Sequence, residues 1–246
     1  MNQNKTEVLW CSSARRQHQI PTTSVRVDST SVQPVSVVRN LGVHLDADVT
    51  MRAHVTAVVR TCFATLRQIR SVRHCLARAA LVSVIRALVL SKIDYCNSVL
   101  AGAAESLLRR LQSIMNSAAR LIFQAGKYEH VAPLLHELHW LKMPERINFR
   151  LCVLTYRCLN GTASQYLSEA IHPVTNRVGR YRLRSSDTTT LIIPATRRST
   201  LGDRSFPAAA VTAWNSLPAR LRDVTSLSLF RRELKTFLFN ESFPAE

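Results

Sequence analysis

A chain of 246 residues with 46% hydrophobic content is long enough for one large domain or two small ones, and too apolar to be disordered throughout. Its 33 Lys and Arg stand against 16 Asp and Glu, a formal charge of +17, which favours a polyanionic partner such as RNA, DNA or an anionic membrane. No run approaches the roughly 18–20 apolar residues of a membrane span, and Met1 to Glu7 are polar, so the chain reads as intracellular, nuclear or cytoplasmic.

Twenty-eight of the 33 basic residues are Arg, whose planar fork suits bidentate phosphate contacts better than an ammonium does. The plain alternative is a coding bias toward Arg. Six cysteines (Cys11, Cys62, Cys75, Cys96, Cys152, Cys158) include no Cys-x-x-Cys pair and several fall at apolar helical positions, so neither disulfides nor a zinc knuckle is expected.

In chain order, Asn2 to about Asp46 reads as a small β-rich piece, with extended runs at Glu7–Cys11, Ser24–Val27 and Val35–Leu45 divided by turn-formers such as Pro21-Thr22-Thr23. A helix is predicted over about Met51–Ser71, with Val55, Val58, Val59, Cys62, Leu66 and Ile69 on one stripe and Arg60 and Arg67 together on another face. A second helix is predicted over Arg78–Lys92, burying Leu81, Ile85, Leu88 and Val89. A third spans Glu105–Gln124, burying Leu107, Leu111, Ile114, Met115, Ala118 and Leu121, and the three are expected to pack as an antiparallel bundle. Pro144 suits the first turn of a fourth, where its missing N–H costs nothing, with Ile147, Leu151, Leu154 and Cys158 inward up to Gly161. Beyond Pro173 the chain turns basic: from Arg177 to Arg204 seven arginines, among them Arg180, Arg182, Arg184, Arg197 and Arg198, meet only Asp187 and Asp203. Within that basic stretch Thr188–Pro194 reads as a strand, and Phe206–Leu217 and Leu227–Phe239 read as helices.

Catalytic and metal motifs are weak. His130, His136 and His139 with Glu129 and Glu137 match no His-Glu-x-x-His spacing and read as packing and surface residues. Asp46-Ala47-Asp48 offers two carboxylates to a cation, but the pair directly precedes a helix, where an acid caps the orphan amides and complements the dipole. No Gly-x-Ser-x-Gly elbow and no phosphate-binding loop occurs, so a hydrolase or nucleotide triphosphatase is not expected.

Several short motifs occur in order along nearly the whole chain. Asn2-Gln3-Asn4-Lys5-Thr6-Glu7-Val8 resembles the Asn-x-x-Lys-Thr segment that follows the catalytic strand in the palm of reverse transcriptases. Leu41-Gly42-Val43-His44-Leu45-Asp46 is similar to their primer-grip turn. Ile93-Asp94-Tyr95-Cys96-Asn97-Ser98 and the segment from Pro144 to Gly161 resemble the thumb and what lies beyond it. Trp214-Asn215-Ser216-Leu217-Pro218, then Phe230-Arg231 and Leu234-Lys235-Thr236-Phe237-Leu238-Phe239, resemble the tail of such open reading frames. Together they look like the C-terminal part of a reverse transcriptase of a non-LTR (LINE-like, jockey- or CR1-type) retrotransposon.

The resemblance implies a mainly α fold: a palm remnant with the primer-grip turn at 1–47, a helical thumb-like domain at 48–170 and a basic, mixed C-terminal region at 171–246. It implies that Lys5 sits near the incoming nucleotide's phosphates, that Leu41, Gly42 and Val43 hold the primer end, and that Arg60, Arg67 and the tail arginines neutralise phosphates without reading bases. Such polymerases hold Mg²⁺ on an aromatic-x-Asp-Asp segment upstream of the Asn-x-x-Lys-Thr motif, and no Asp-Asp occurs here. The chain alone is therefore expected to be catalytically incomplete and to carry no cofactor, with the fingers and remaining palm as its missing partner. The alternatives are a retained, non-catalytic nucleic-acid or protein interaction module, and a degenerate element product without function.

Overall fold

The computed structural model describes residues 5–28, 30–174, 189–196 and 201–244. The protein is mainly helical with a small N-terminal β region, and it divides into two compact units, Met1–Ile93 with Ala103–Ile114, and Asp94–Gly102 with Met115–Glu246.

In the first unit two short hairpins precede the helices. Strands β1 (Val25–Val27) and β2 (Thr30–Val32) pair antiparallel, as do β3 (Val37–Asn40) and β4 (Val43–Asp46), the latter in the register Val37↔Asp46 to Asn40↔Val43. The extended run expected from Val35 to Leu45 is thus broken into two strands. Leu41 (φ +45°) and Gly42 (φ +83°) form its two-residue turn, and positive φ at both positions is what lets so short a loop follow the twist of its strands. Glycine takes that conformation freely; Leu41 pays a steric cost and is 84% exposed. Strand β2 and a 3₁₀ segment over Ala14–Gln19 are not among the elements the sequence predicts.

Helix α1 (Arg52–Val72) leaves the second hairpin directly, burying His54, Val55, Cys62, Leu66 and Ile69 against β4 and the following helical segment. Helix α2 (Arg78–Ile85) runs into a π turn at Arg86–Leu90 and then α3 (Ser91–Asp94). The π turn corrects the predicted face. Its extra residue rotates the later side chains, so Val89, Leu90 and Ile93 are buried while Leu88, expected inward, is 47% exposed. Helix α4 (Glu105–Phe123) buries Leu107, Leu111, Ile114, Met115, Ala118 and Leu121, as its 3.6-residue spacing predicts.

The second unit is built on α6 (Met143–Leu159), which opens with Pro144 in its first turn; Gly161 (φ +64°) follows its end, and the Thr162 amide donates to the Arg157 carbonyl at 2.9 Å. Ahead of it, α5 spans Ala132–Glu137, and a short turn, α7, spans Gln165–Ser168. The tail folds back as α8 (Phe206–Asn215), α9 (Ala219–Arg222) and α10 (Leu227–Ser242), with α8 and α10 packed on α6. Tyr156 of α6 stacks on Phe230 of α10 at 4.6 Å between ring centroids, and Trp214 of α8 closes on the same ring at 5.7 Å. An ion pair of Arg146 with both Asp94 oxygens, at 2.8 Å, ties α6 to the Ile93–Ser98 segment.

The strand expected over Thr188–Pro194 does not form among the described residues. Leu191 makes one bridge, to Pro173, flanked by backbone bonds in which the Ile192 amide donates to the His172 carbonyl (2.9 Å) and the Val174 amide to the Thr190 carbonyl (3.1 Å). On the other edge the partners are side chains: the Asn215 amide both donates to the Leu191 carbonyl (2.9 Å) and accepts from its N–H (3.0 Å), while the Trp214 indole donates to the Thr189 carbonyl (2.8 Å). A β-branched run supplies strand propensity, but a ladder needs continued pairing, and here the backbone pairing stops at one bridge while α8 side chains take the other edge.

Candidate nucleic-acid interface

The site is assembled around α1. Arg52, Arg60, Arg67 and Arg70 are all exposed, and at 3.6 residues per turn they fall within an arc of about 80°, a stripe about 27 Å long facing away from the buried residues. No carboxylate lies on α1 to neutralise it. Arg60 and Arg67 are the pair the sequence singles out. Arg52 and Arg70 complete the stripe, and extending the same helical spacing in both directions finds them. Arg110 of α4 reaches α1 as well, donating to the Thr56 hydroxyl at 3.2 Å, a long-range contact with no sequence signal.

At the start of α1 the carboxylate of Asp46, the last residue of β4, takes the place of a conventional cap. Oδ1 accepts from the Met51 amide (2.8 Å), and Oδ2 accepts from the Arg52 amide (2.8 Å), the Ala53 amide (3.3 Å) and the Thr50 hydroxyl (2.8 Å). Burial pushes this carboxyl's pKa up, but the hydrogen bonds from Thr50 and the Met51 and Ala53 amides outweigh it and hold the group below its ordinary value. Asp48 Oδ1 accepts from the Thr50 amide and hydroxyl. The capping reading of Asp46-Ala47-Asp48 therefore describes what these carboxylates do. They do not fit a Mg²⁺ site, because both Asp46 oxygens are engaged by N–H and O–H donors. Among the described residues no group of three His, Cys, Asp or Glu is placed to hold a metal.

Behind the cap, His54 is 5% exposed, its ring centroid 6.2 Å from that of His44, and neither Nδ1 has a partner. Burial, and then His44, drive the His54 pKa down, with the Asp46 charge only partly offsetting them. In front of the cap opens a cavity of about 600 Å³, lined by the base of the β3–β4 hairpin (Ser36, Val37, Ala47) and by Arg52, Ala57 and Arg60 of α1.

Of the other sequence candidates, Lys5 is exposed, Leu41 and Gly42 form the exposed hairpin tip, and Val43 turns into the core at 8% exposure. None of these lines the cavity, nor does Arg67. Arg180, Arg182, Arg184, Arg197 and Arg198, with Asn2, Gln3 and Asn4, lie outside the described residues. His136 and His139 pack beside Phe239 and, for His136, Phe243. All six cysteines are free thiols, and burial pushes Cys152 up to about 12, far from a reactive thiolate.

Compared with family models, curated proteins and solved structures, the chain gives no match. Among the described residues no helix is long and apolar enough to cross a membrane.

Proposed function

We propose that this chain is the C-terminal portion of an RNA-directed DNA polymerase of the non-LTR retrotransposon kind, and that by itself it holds RNA or DNA backbone without reading sequence, in the nucleus or the cytoplasm. The observation that carries the binding part is the α1 stripe: four exposed guanidiniums on one helix face with no carboxylate on that helix. Such a surface gains by releasing condensed counterions from a polyanion, and its planar forks match phosphate oxygens. The polymerase part rests on the ordered motifs. A two-residue hairpin presenting Leu41 just ahead of a basic helix agrees with a primer-grip turn followed by a thumb, and exposed Lys5 is free to approach a phosphate in the assembled parent. Mg²⁺ chemistry belongs to that parent, and no step is assigned to this chain's own carboxylates.

The test is direct. The purified chain is titrated with labelled single- and double-stranded RNA and DNA over a range of salt, and assayed for primer extension with Mg²⁺ and nucleotides. Affinity should fall steeply with salt and vary little with sequence, with no extension above background. Affinity flat between low and moderate salt, or template-dependent extension by the chain alone, overturns the proposal.

A further inference from the structure

The cavity in front of Asp46 is built differently from a phosphate contact. An N-terminal helix end ordinarily offers free amides to an anion, but here the Met51, Arg52 and Ala53 amides are already taken by Asp46, and Asp48 adds a second carboxylate to the lining. A free phosphate would meet negative charge and no open amide. What remains is an aliphatic wall of Val37, Ala47, Ala53 and Ala57, guanidiniums at Arg52 and Arg60, and hydrogen-bonding groups at Gln17 and Asp48. Its volume of about 600 Å³ falls among those of small-ligand sites, roughly 300–1,000 Å³.

That combination suits a nucleobase. Its flat apolar faces match the aliphatic wall and the plane of a guanidinium, and its edge carries N–H donors for a carboxylate or an amide oxygen. The sugar–phosphate on either side would meet Arg52, Arg60 and the stripe continuing along α1. A duplex keeps its bases stacked inside and presents only backbone and groove edges, whereas a single strand can turn one base out. We propose that this cavity receives one unpaired base of a single strand whose phosphates lie along the α1 arginines. The inference rests on reading α1 as a phosphate track and adds to it a preference for single-stranded nucleic acid.

The full-length chain is compared by fluorescence anisotropy on an oligothymidine strand, on the same strand annealed to its complement, and across salt. Ala57→Leu fills the cavity with an aliphatic group of high helix propensity and leaves every arginine in place. The parent should bind the single strand about fivefold or more tighter than the duplex, the scale of one base contact. Ala57→Leu should erase that difference while leaving duplex affinity and its salt dependence unchanged. A second measurement needs no variant: 4-thiothymidine in the single strand should photo-crosslink to peptides within residues 36–60. Salt-dependent duplex binding without single-strand preference, preference retained in a folded Ala57→Leu chain, or crosslinks confined to other peptides overturns the cavity proposal alone. Absence of binding to either form overturns the phosphate track as well.

Discussion

Replacing Arg52, Arg60, Arg67 and Arg70 together by Gln tests the α1 stripe. All four are exposed, so little packing is lost, and Gln is nearly as good a helix former as Arg. If each guanidinium displaces one counterion, the four contribute about 2.8 to 3.6 to the slope of log affinity against log salt, taking roughly 0.7 per contact for single strands and 0.9 for duplex. Between about 50 and 200 mM salt the parent should therefore lose roughly 50- to 150-fold more affinity than the variant does. The assay is anisotropy at a series of salt concentrations, with helical circular dichroism and melting temperature as controls for folding. The same positions changed to Lys should retain most of the slope and lose affinity only where a bidentate fork matters. A Gln variant that folds like the parent and keeps its slope would refute the reasoning, and would assign the binding charge elsewhere.

Asp46→Asn is isosteric, yet either amide orientation sets an NH₂ group against N–H donors that the carboxylate now accepts, so it should cost about 1–3 kcal/mol, read by thermal or urea melts. Because the folded pKa of Asp46 lies below its ordinary 3.8, its contribution is complete above that value and disappears as pH falls through the folded pKa; the variant's acid limb should be correspondingly flatter. His54 is also depressed, from 6.5, so the unfolded chain takes up its proton first and stability should fall as pH drops below about 6.5; His54→Leu should remove that slope in melts between pH 7 and 5. Asn215→Ala removes two hydrogen bonds to Leu191, and amide exchange at Leu191 should accelerate more than at α6, whereas uniform acceleration would mean that the clamp is not local.

Local periodicity carried much of the fold. Apolar residues at helical spacing located α1, α4, α6, α8 and α10 and most of the buried faces of α1, α4 and α6, because a helix's buried stripe is written at intervals of three and four residues. The same spacing placed Arg60 and Arg67 on one exposed face, and the Asp46-Ala47-Asp48 pattern ahead of a helix marked the cap.

Tertiary structure decided what depends on partners distant in sequence. The π turn at Arg86–Leu90 inserts a residue into the helical count, so a regular wheel drawn from Leu81 places Leu88 inside when it is exposed. Whether the β-branched run Thr188–Pro194 becomes a strand depends on its neighbours: its described part pairs with His172–Val174 over a single bridge, and Asn215 takes up the Leu191 groups on the other edge. The cavity joins the base of a hairpin to residues on two turns of α1, and Arg110 meets Thr56 across 54 positions of chain. Composition foretold a positive surface, since charge is additive and needs no fold. Which arginines share a face with a cavity beside them is a matter of packing, and it appears only once the hairpin is laid against α1.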